Sequence, residues 1–194
     1  MNILEAIYAR RSIRKYEDRP VEREKLVELV KAATAAPTAM NARPWHFIIV
    51  DEKEEMDGIR GIMRFGKHNA PAAIVVCGNM KRALPAMIRD FWVQDCSAAV
   101  ENICLGAMEL ELGTVWLGVT PVQDHVEKVS AYLGLPKHII PLGIIYVGYP
   151  AEEKEPRTQF KEENISYQRM GEQRKPKNMI KRALEKKETP KGKD

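Results

Sequence analysis

The chain has 194 residues, of which 44% are hydrophobic and 30% charged, which is ordinary for one globular domain or one protomer of a dimer. No apolar run is long enough to span a bilayer, so we expect no membrane partner. The N-terminal residues contain no basic stretch followed by an apolar one, and the three cysteines form no C-x-x-C pair. We therefore expect a reducing, cytoplasmic location, and neither a disulfide framework nor a metal site.

The net charge of +4 is unevenly distributed along the chain. Residues 171–194 contain nine Lys or Arg and four acids, which gives this segment +5, so residues 1–170 sum to −1. A nearly neutral body argues against a protein built to bind nucleic acid. We predict one domain over residues 1–170 and a basic tail over 171–194, whose short amphipathic helix (residues 178–187) docks on protein and keeps its lysines in solvent.

The hydrophobic pattern along the first 150 residues alternates between helical and strand periodicity. It predicts helices at the N-terminus and over residues 22–35, 53–63, 86–112 and 124–133. It predicts strands over residues 45–50, 72–77, 114–119 and 142–147. Gly113 is predicted to end the long fourth helix as a C-terminal cap. This alternation indicates a layered α/β or α+β domain.

Two short segments concentrate side chains suited to ligand binding. Residues 10–14 (Arg-Arg-Ser-Ile-Arg) place three guanidinium groups and a hydroxyl within five positions, and the planar donor fork of arginine suits phosphate oxygens and electron-rich carbonyls. Residues 36–44 contain turn formers and small polar side chains just before a predicted strand, as in a binding loop. Taken alone, the first segment also fits a solvated helix end, and the second fits an ordinary connection.

In their order and spacing, these segments resemble the nitroreductase family of FMN-dependent oxidoreductases. Arg-Arg-Ser-x-Arg at residues 10–14 is followed by Ala-Pro-Thr-x-x-Asn-x-Arg-Pro-Trp at 36–45, and Leu-Gly-Thr-Val-Trp-Leu-Gly at 112–118 matches a third segment. The resemblance covers about residues 2–167. It implies an α+β fold with a central mixed sheet flanked by helices, and an intertwined homodimer with two flavin sites at its interface.

The resemblance also implies which residues contact FMN. The phosphate and the pyrimidine edge of the flavin are assigned to Arg10, Arg11, Ser12 and Arg14. The partner subunit would supply Pro37, Thr38, Ala39 and Asn41, with Arg43 near the ring or the ribityl chain. The ring near N5 is assigned to Trp116, Leu117 and Gly118. The fourth segment contributes Arg157, but Gln159 stands where the family often has a second cation. Either Arg157 or Lys161 compensates for that change, or the phosphate is held less tightly.

The activity implied by the resemblance is hydride transfer from NADH or NADPH through flavin N5 to an electron-poor acceptor, such as a nitroaromatic or a quinone. One shared flavin face implies ping-pong kinetics, and no side chain is required as an acid or base. The absence of a G-x-G-x-x-G motif argues against a resident Rossmann-type dinucleotide. Two alternatives stay open: a flavin-binding sensor or carrier without NAD(P)H turnover, and a specialised superfamily member that removes halogen or destroys flavin.

Overall fold

The computed structural model describes residues 2–63 and 65–171, and the chain divides into two compact units after Arg157. The helices of the first unit are α1 (Ile3–Ala9), α2 (Arg23–Thr34), α3 (Lys53–Ile62), α4 (Phe91–Glu109) and α5 (Gln123–Tyr132). Its strands are β1 (Trp45–Val50), β2 (Ala72–Asn79), β3 (Gly113–Gly118) and β4 (Ile139–Gly148). Two short 3₁₀ helices, Ala39–Asn41 and Ala86–Ile88, lie in the connections.

The strands form one sheet in the order β1-β2-β4-β3. All three pairings are antiparallel, which corrects the expected mixed strand directions while the α+β class holds. A parallel contact occurs outside these strands, as an isolated bridge between Ser12 and Thr114. The register shifts between Val76 and Cys77, where β2 pairs with β4. Strand β3 therefore lies at one edge of the sheet, and its outer side receives the segment that contains Ser12.

Helices cover both faces of the sheet. Alternate strand residues point to opposite sides, and both faces therefore present apolar side chains that the helices bury. Ile74 and Val76 belong to one hydrophobic cluster, together with buried residues of α2 and α4. Ala73 and Val75 belong to a second cluster, together with buried residues of α3 and α5. Strands β2 and β4 are buried almost throughout, as their continuous apolar sequences predict.

Helix α1 begins with a capping box in which the Asn2 side chain accepts from the Glu5 amide at 3.0 Å and the Glu5 carboxylate accepts from the Asn2 amide at 3.0 Å. Its apolar side chains do not enter the core. Ile3, Leu4 and Tyr8 are all more than half exposed. An apolar helix face of this kind, open in one protomer, is typical of a surface that binds another protein surface.

The predicted long helix is interrupted, and Gly113 is not its cap. Helix α4 starts only at Phe91 and ends at Glu109, and Glu111 holds the left-handed conformation (φ 59°) that follows it. Gly113 instead opens β3, where an added Cβ would lie 2.8 Å from Ile13 Cγ1. The requirement for glycine therefore comes from close packing against residue 13, not from the turn.

The second unit is described over residues 158–171. It contains the 3₁₀ helix Glu162–Asn164, and Gln168 adopts a positive φ of 62°. The amphipathic helix predicted for residues 178–187 lies outside the described residues, and the predicted boundary after residue 170 stays a prediction. In the part of the chain that the structure describes, no helix is long and apolar enough to cross a membrane.

The packing of α2 on α4 predicts that shortening two side chains of α2 has unequal effects on stability. Leu29 is 0% exposed, whereas Val27 on the same helix is 41% exposed. We expect Leu29→Ala to lower the free energy of unfolding by about 2–5 kcal/mol, because it leaves a cavity against α4. Val27→Ala should change it by less than about 0.5 kcal/mol. Urea denaturation of the two variants tests this expectation, and equal losses would contradict the assigned packing.

Candidate functional site

The arginine-rich segment is held along the edge of β3. Ser12 forms the parallel bridge to Thr114, and the Ile13 amide donates to the Thr114 carbonyl at 2.9 Å. Further along, Tyr16 forms an antiparallel bridge to Pro150. Ile13 and Tyr16 are buried, whereas Arg14 is exposed. The segment therefore has a fixed backbone, and the exposed Arg14 guanidinium lies against it, with Nη1 donating to the Ser12 carbonyl at 3.4 Å.

Two residues that the sequence did not assign to the site hold this segment from the other side. The Glu152 carboxylate accepts from the Arg14 amide at 2.6 Å and from the Lys154 ammonium at 2.9 Å. Lys154 also donates to the Ser12 carbonyl at 2.7 Å. The Arg14 amide and the Lys154 side chain lower the pKa of Glu152 to about 2. The fourth segment of the family resemblance, residues 148–150 and 154–157, already includes Lys154, but only Arg157 was assigned a contact within it.

Arg10 and Arg157 lie near the end of α1. Arg10 forms an ion pair with Glu101 of α4 at 3.4 Å, and the Arg157 amide donates to the Tyr8 carbonyl at 3.1 Å. Arg157 is exposed. The bond to Tyr8 thus brings Arg157 to the end of α1, the helix that leads into Arg10. Gln159 belongs to the second unit, and its assignment stays a prediction.

The Arg11 side chain has partners different from those of Arg10 and Arg14. Its guanidinium donates to the Glu155 carbonyl and lines a cavity of about 460 Å³ with Ile13 and Leu112. None of Ser12, Arg14 and Trp116 lines that cavity. Alternation along an extended segment explains the difference, because neighbouring side chains point to opposite sides. The Arg11 side chain therefore lies on another side of the segment from Ser12 and Arg14, although Glu152 and Lys154 line the same cavity, and its role toward flavin stays a prediction.

The end of β3 offers an open, partly aromatic surface. Trp116 is 40% exposed, and its indole lies so close to Gly143 that a side chain there would collide with it. Gly118 has open space where a Cβ would stand. Leu117 faces the opposite side of the sheet and packs near Gly66. A planar ligand could therefore approach the backbone beside Trp116 and Gly118 without steric obstruction.

His68 lies near the charged groups of this region. Its ring meets Tyr146 edge-on, with 6.3 Å between centroids. Burial lowers the pKa of His68, and the Arg14 and Lys154 charges lower it further, whereas Glu152 opposes them. The structure places His68 half-buried and within electrostatic reach of Arg14.

The loop over residues 37–43 is built from unusual backbone conformations. Met40, Asn41 and Arg43 have positive φ angles of 50°, 56° and 49°. Such angles are rare outside glycine and accumulate at functional loops. Local bonds support them: the Arg43 amide donates to Thr38 Oγ1 at 3.2 Å, and Arg43 Nε donates to Asn41 Oδ1 at 2.8 Å. The Ala39 amide donates to Asp95 of α4 at 2.8 Å.

The predicted contacts therefore form two separate groups within one chain. Ser12 is attached to β3 at Thr114, and the same strand carries Trp116 and Gly118 further along. Among the described residues, no hydrogen bond or ion pair joins this first group to the loop over residues 37–43. That loop is bonded to α4 instead. A ligand that contacts both groups must therefore either extend across one protomer or bind between two protomers.

The bonds of Glu152 predict that the stability of the fold decreases at low pH. A pKa of about 2 in the folded chain, against an ordinary 4.5, means that this carboxylate stabilises the fold above its ordinary pKa. That contribution is lost as pH falls toward the lowered value. Between about pH 5 and about pH 2, we expect the urea midpoint of Glu152→Gln to fall less than that of the wild type. Glu153→Gln, at an exposed neighbour, is the control and should follow the wild type. Equal acid losses for the two variants would contradict the assignment.

Comparison with known proteins identifies the family of this chain. Residues 7–64 and 61–149 match the profile of the nitroreductase family. A Methanothermobacter thermautotrophicus protein, provisionally named NADH dehydrogenase/NAD(P)H nitroreductase, is 44% identical over 167 residues, which cover 85% of this chain and 86% of that protein. A Parabacteroides distasonis crystal structure with the same provisional name has a TM-score of 0.80 at 40% identity, covering 87% of this chain and 99% of that one.

A third likeness names a cofactor. An FMN-dependent nitroreductase from Clostridium difficile has a TM-score of 0.77 at 32% identity, and the match covers 86% of this chain and 99% of that chain. The likenesses confirm the predicted family, the α+β fold and an oxidoreductase of this type. The roles assigned to individual residues stay predictions. With 44% identity across most of its length and a family match over most of residues 7–149, this chain belongs to the nitroreductase family.

Proposed function

We propose that this protein is an FMN-dependent oxidoreductase that passes hydride from NADH or NADPH to an electron-poor acceptor, such as a nitroaromatic or a quinone. The observation that carries the proposal is the attachment of the arginine-rich segment, with Ser12 and the exposed Arg14, to β3, the strand that also carries Trp116 and Gly118. FMN, when bound, supplies the N5 atom that takes up hydride and passes it on. The names of the related nitroreductases support both the cofactor and the reductant.

The donor set of this region fits such a cofactor. Arg10, Arg14 and Arg157 offer guanidinium groups that suit a phosphate or the electron-rich edge of a ring. Trp116 and Gly118 border an open surface that suits a planar aromatic group. Positive charge near a ring that gains electrons stabilises the reduced state. No side chain is assigned as an obligatory acid or base.

One shared surface has a kinetic consequence. Because Trp116 and Gly118 border the open side of the proposed ring position, the reductant and the acceptor would occupy the same space. The reductant would therefore leave before the acceptor enters, which gives ping-pong kinetics. The three buried free thiols, Cys77, Cys96 and Cys104, favour the proposal of a cytoplasmic location.

We further propose that the working form is a homodimer in which each flavin contacts both protomers. The two groups of predicted contacts have different anchors, one on β3 and the other on α4. The exposed apolar side chains of α1 and the nearly fully exposed Met87 provide surface for association. In such a dimer, Ser12 and Arg14 of one protomer would meet the loop over residues 37–43 of the other.

The flavin spectrum tests the proposed cofactor and reductant. Purified full-length protein supplied with FMN should retain a bound-flavin spectrum that bleaches under anaerobic NADH or NADPH. Arg14→Ala should weaken FMN binding about 10- to 100-fold, as expected for the loss of a hydrogen bond to a charged group. Arg23→Ala, which removes an exposed guanidinium paired with Asp51, is the matched control and should bind normally. Retained flavin that dithionite bleaches but neither nucleotide does would favour a sensor or carrier.

The shared site is tested by complementation. Arg14→Ala and Asn41→Ala should each bind FMN poorly as homodimers. When the two are coexpressed, half of the dimers are mixed, and each mixed dimer carries one intact site. Flavin content should then recover to about a quarter of the wild-type value. No recovery in isolated mixed dimers would show that both segments serve a site within one chain.

A further inference from the structure

Asp95 is a buried carboxylate that the proposed reaction does not use. It lies on α4 and is 5% exposed. Its Oδ1 accepts from the Ala39 amide at 2.8 Å, whereas Oδ2 is buried and has no hydrogen-bond partner among the described residues. A buried carboxylate with one unsatisfied oxygen destabilises a fold. The rest of the buried face of α4 is apolar, so this charge needs an explanation.

The group that Asp95 holds is the loop with three left-handed residues. Within that loop, the bonds from Asn41 to Thr38 and from Ala42 to Ala39 are local. The side chain of Arg43 also bonds within the loop, to Asn41. These local bonds shape the loop but do not attach it to the sheet or the helices. The bond from the Ala39 amide to Asp95 attaches it to α4.

The loop and Asp95 also share a cavity. A space of about 320 Å³ is lined by Pro37, Thr38, Ala39, Phe91, Gln94, Asp95 and Ala98. Three of these residues are predicted flavin contacts. The carboxylate therefore lies in the wall of the space where those contacts meet α4, and a shift of Asp95 would move that wall.

We propose that Asp95 is a positioning residue for flavin binding, because it fixes the Ala39 amide and with it the conformation of residues 38–41. The charged acceptor gives a stronger bond to the amide than a neutral one would. The role toward flavin rests on the proposed function, whereas the anchoring of the loop does not. Among the described residues Oδ2 has no partner, because the loop supplies a single amide, that of Ala39, to the carboxylate.

This assignment differs from a merely structural role in its effect on stability. A residue that only supports the fold lowers stability when it is replaced. Asp95→Asn keeps an oxygen for the Ala39 amide and removes the half-satisfied charge, so the apoprotein should be at least as stable as the wild type. Asp95→Ala removes the acceptor altogether and frees the loop. Asp90→Asn removes the same charge from an exposed position at the start of α4 and is the control.

Three measurements on the full chain decide the proposal: urea midpoints of the apoprotein, amide hydrogen exchange over residues 38–43, and FMN affinity by fluorescence titration. For Asp95→Asn we expect a midpoint no lower than wild type, wild-type exchange, and FMN affinity within threefold. For Asp95→Ala we expect at least tenfold faster exchange at Ala39 and at least tenfold weaker FMN binding. Asp90→Asn should match the wild type in exchange and affinity.

Two results would overturn the proposal. Wild-type exchange and FMN affinity in Asp95→Ala would show that the loop is positioned without Asp95. Weak FMN binding in Asp95→Asn with normal exchange would show that the carboxylate acts on the ligand rather than through the loop. If the wild type binds no FMN, the proposed function fails. The exchange comparison would then still show whether Asp95 anchors the loop.

Discussion

The pairing of Ser12 and Ile13 with the outer edge of β3 is the interaction on which the candidate site depends. Strand β3 ends the sheet, and an open edge strand attracts non-native pairing. Covering that edge with the arginine-rich segment protects it and attaches the segment to the strand that carries Trp116 and Gly118. The contact leaves no room for a side chain at residue 113, so the glycine there is a requirement of the site's framework.

Helix α4 organises both halves of the proposed site without bringing them together. Glu101 pairs with Arg10, and Asp95 holds Ala39. Asp95 and Glu101 are six positions apart in the sequence, which corresponds to about 9 Å along the helix axis and to more than one helical turn. Each half therefore has a rigid support, but the two halves face different surroundings. A second protomer is the simplest way to complete a site whose parts are held by one helix at two places.

Local patterns predicted most of the fold because the core is strongly periodic. The strand over Trp45–Val50 matches its predicted bounds, since six apolar or pairing residues lie between clear turn signals. The glycine at residue 113 misled because glycine fits both a helix cap and a tight packing contact. The Glu152 and Lys154 contacts were missed because they join residues more than 130 positions apart, and no local pattern encodes such pairing. The bond from Arg11 to the Glu155 carbonyl joins positions equally far apart.

The distribution of strain and charge separates the parts that supply stability from the parts suited to bind. The two hydrophobic clusters are apolar and closely packed on both faces of the sheet. Outside these clusters, two kinds of unfavourable feature occur side by side: three left-handed residues fall in one loop, and the half-satisfied carboxylate of Asp95 is bonded to that loop. A core that is locally consistent can support such exceptions. Because the exceptions are adjacent and joined by the Ala39 bond, the loop is held in a conformation that its own sequence would not favour.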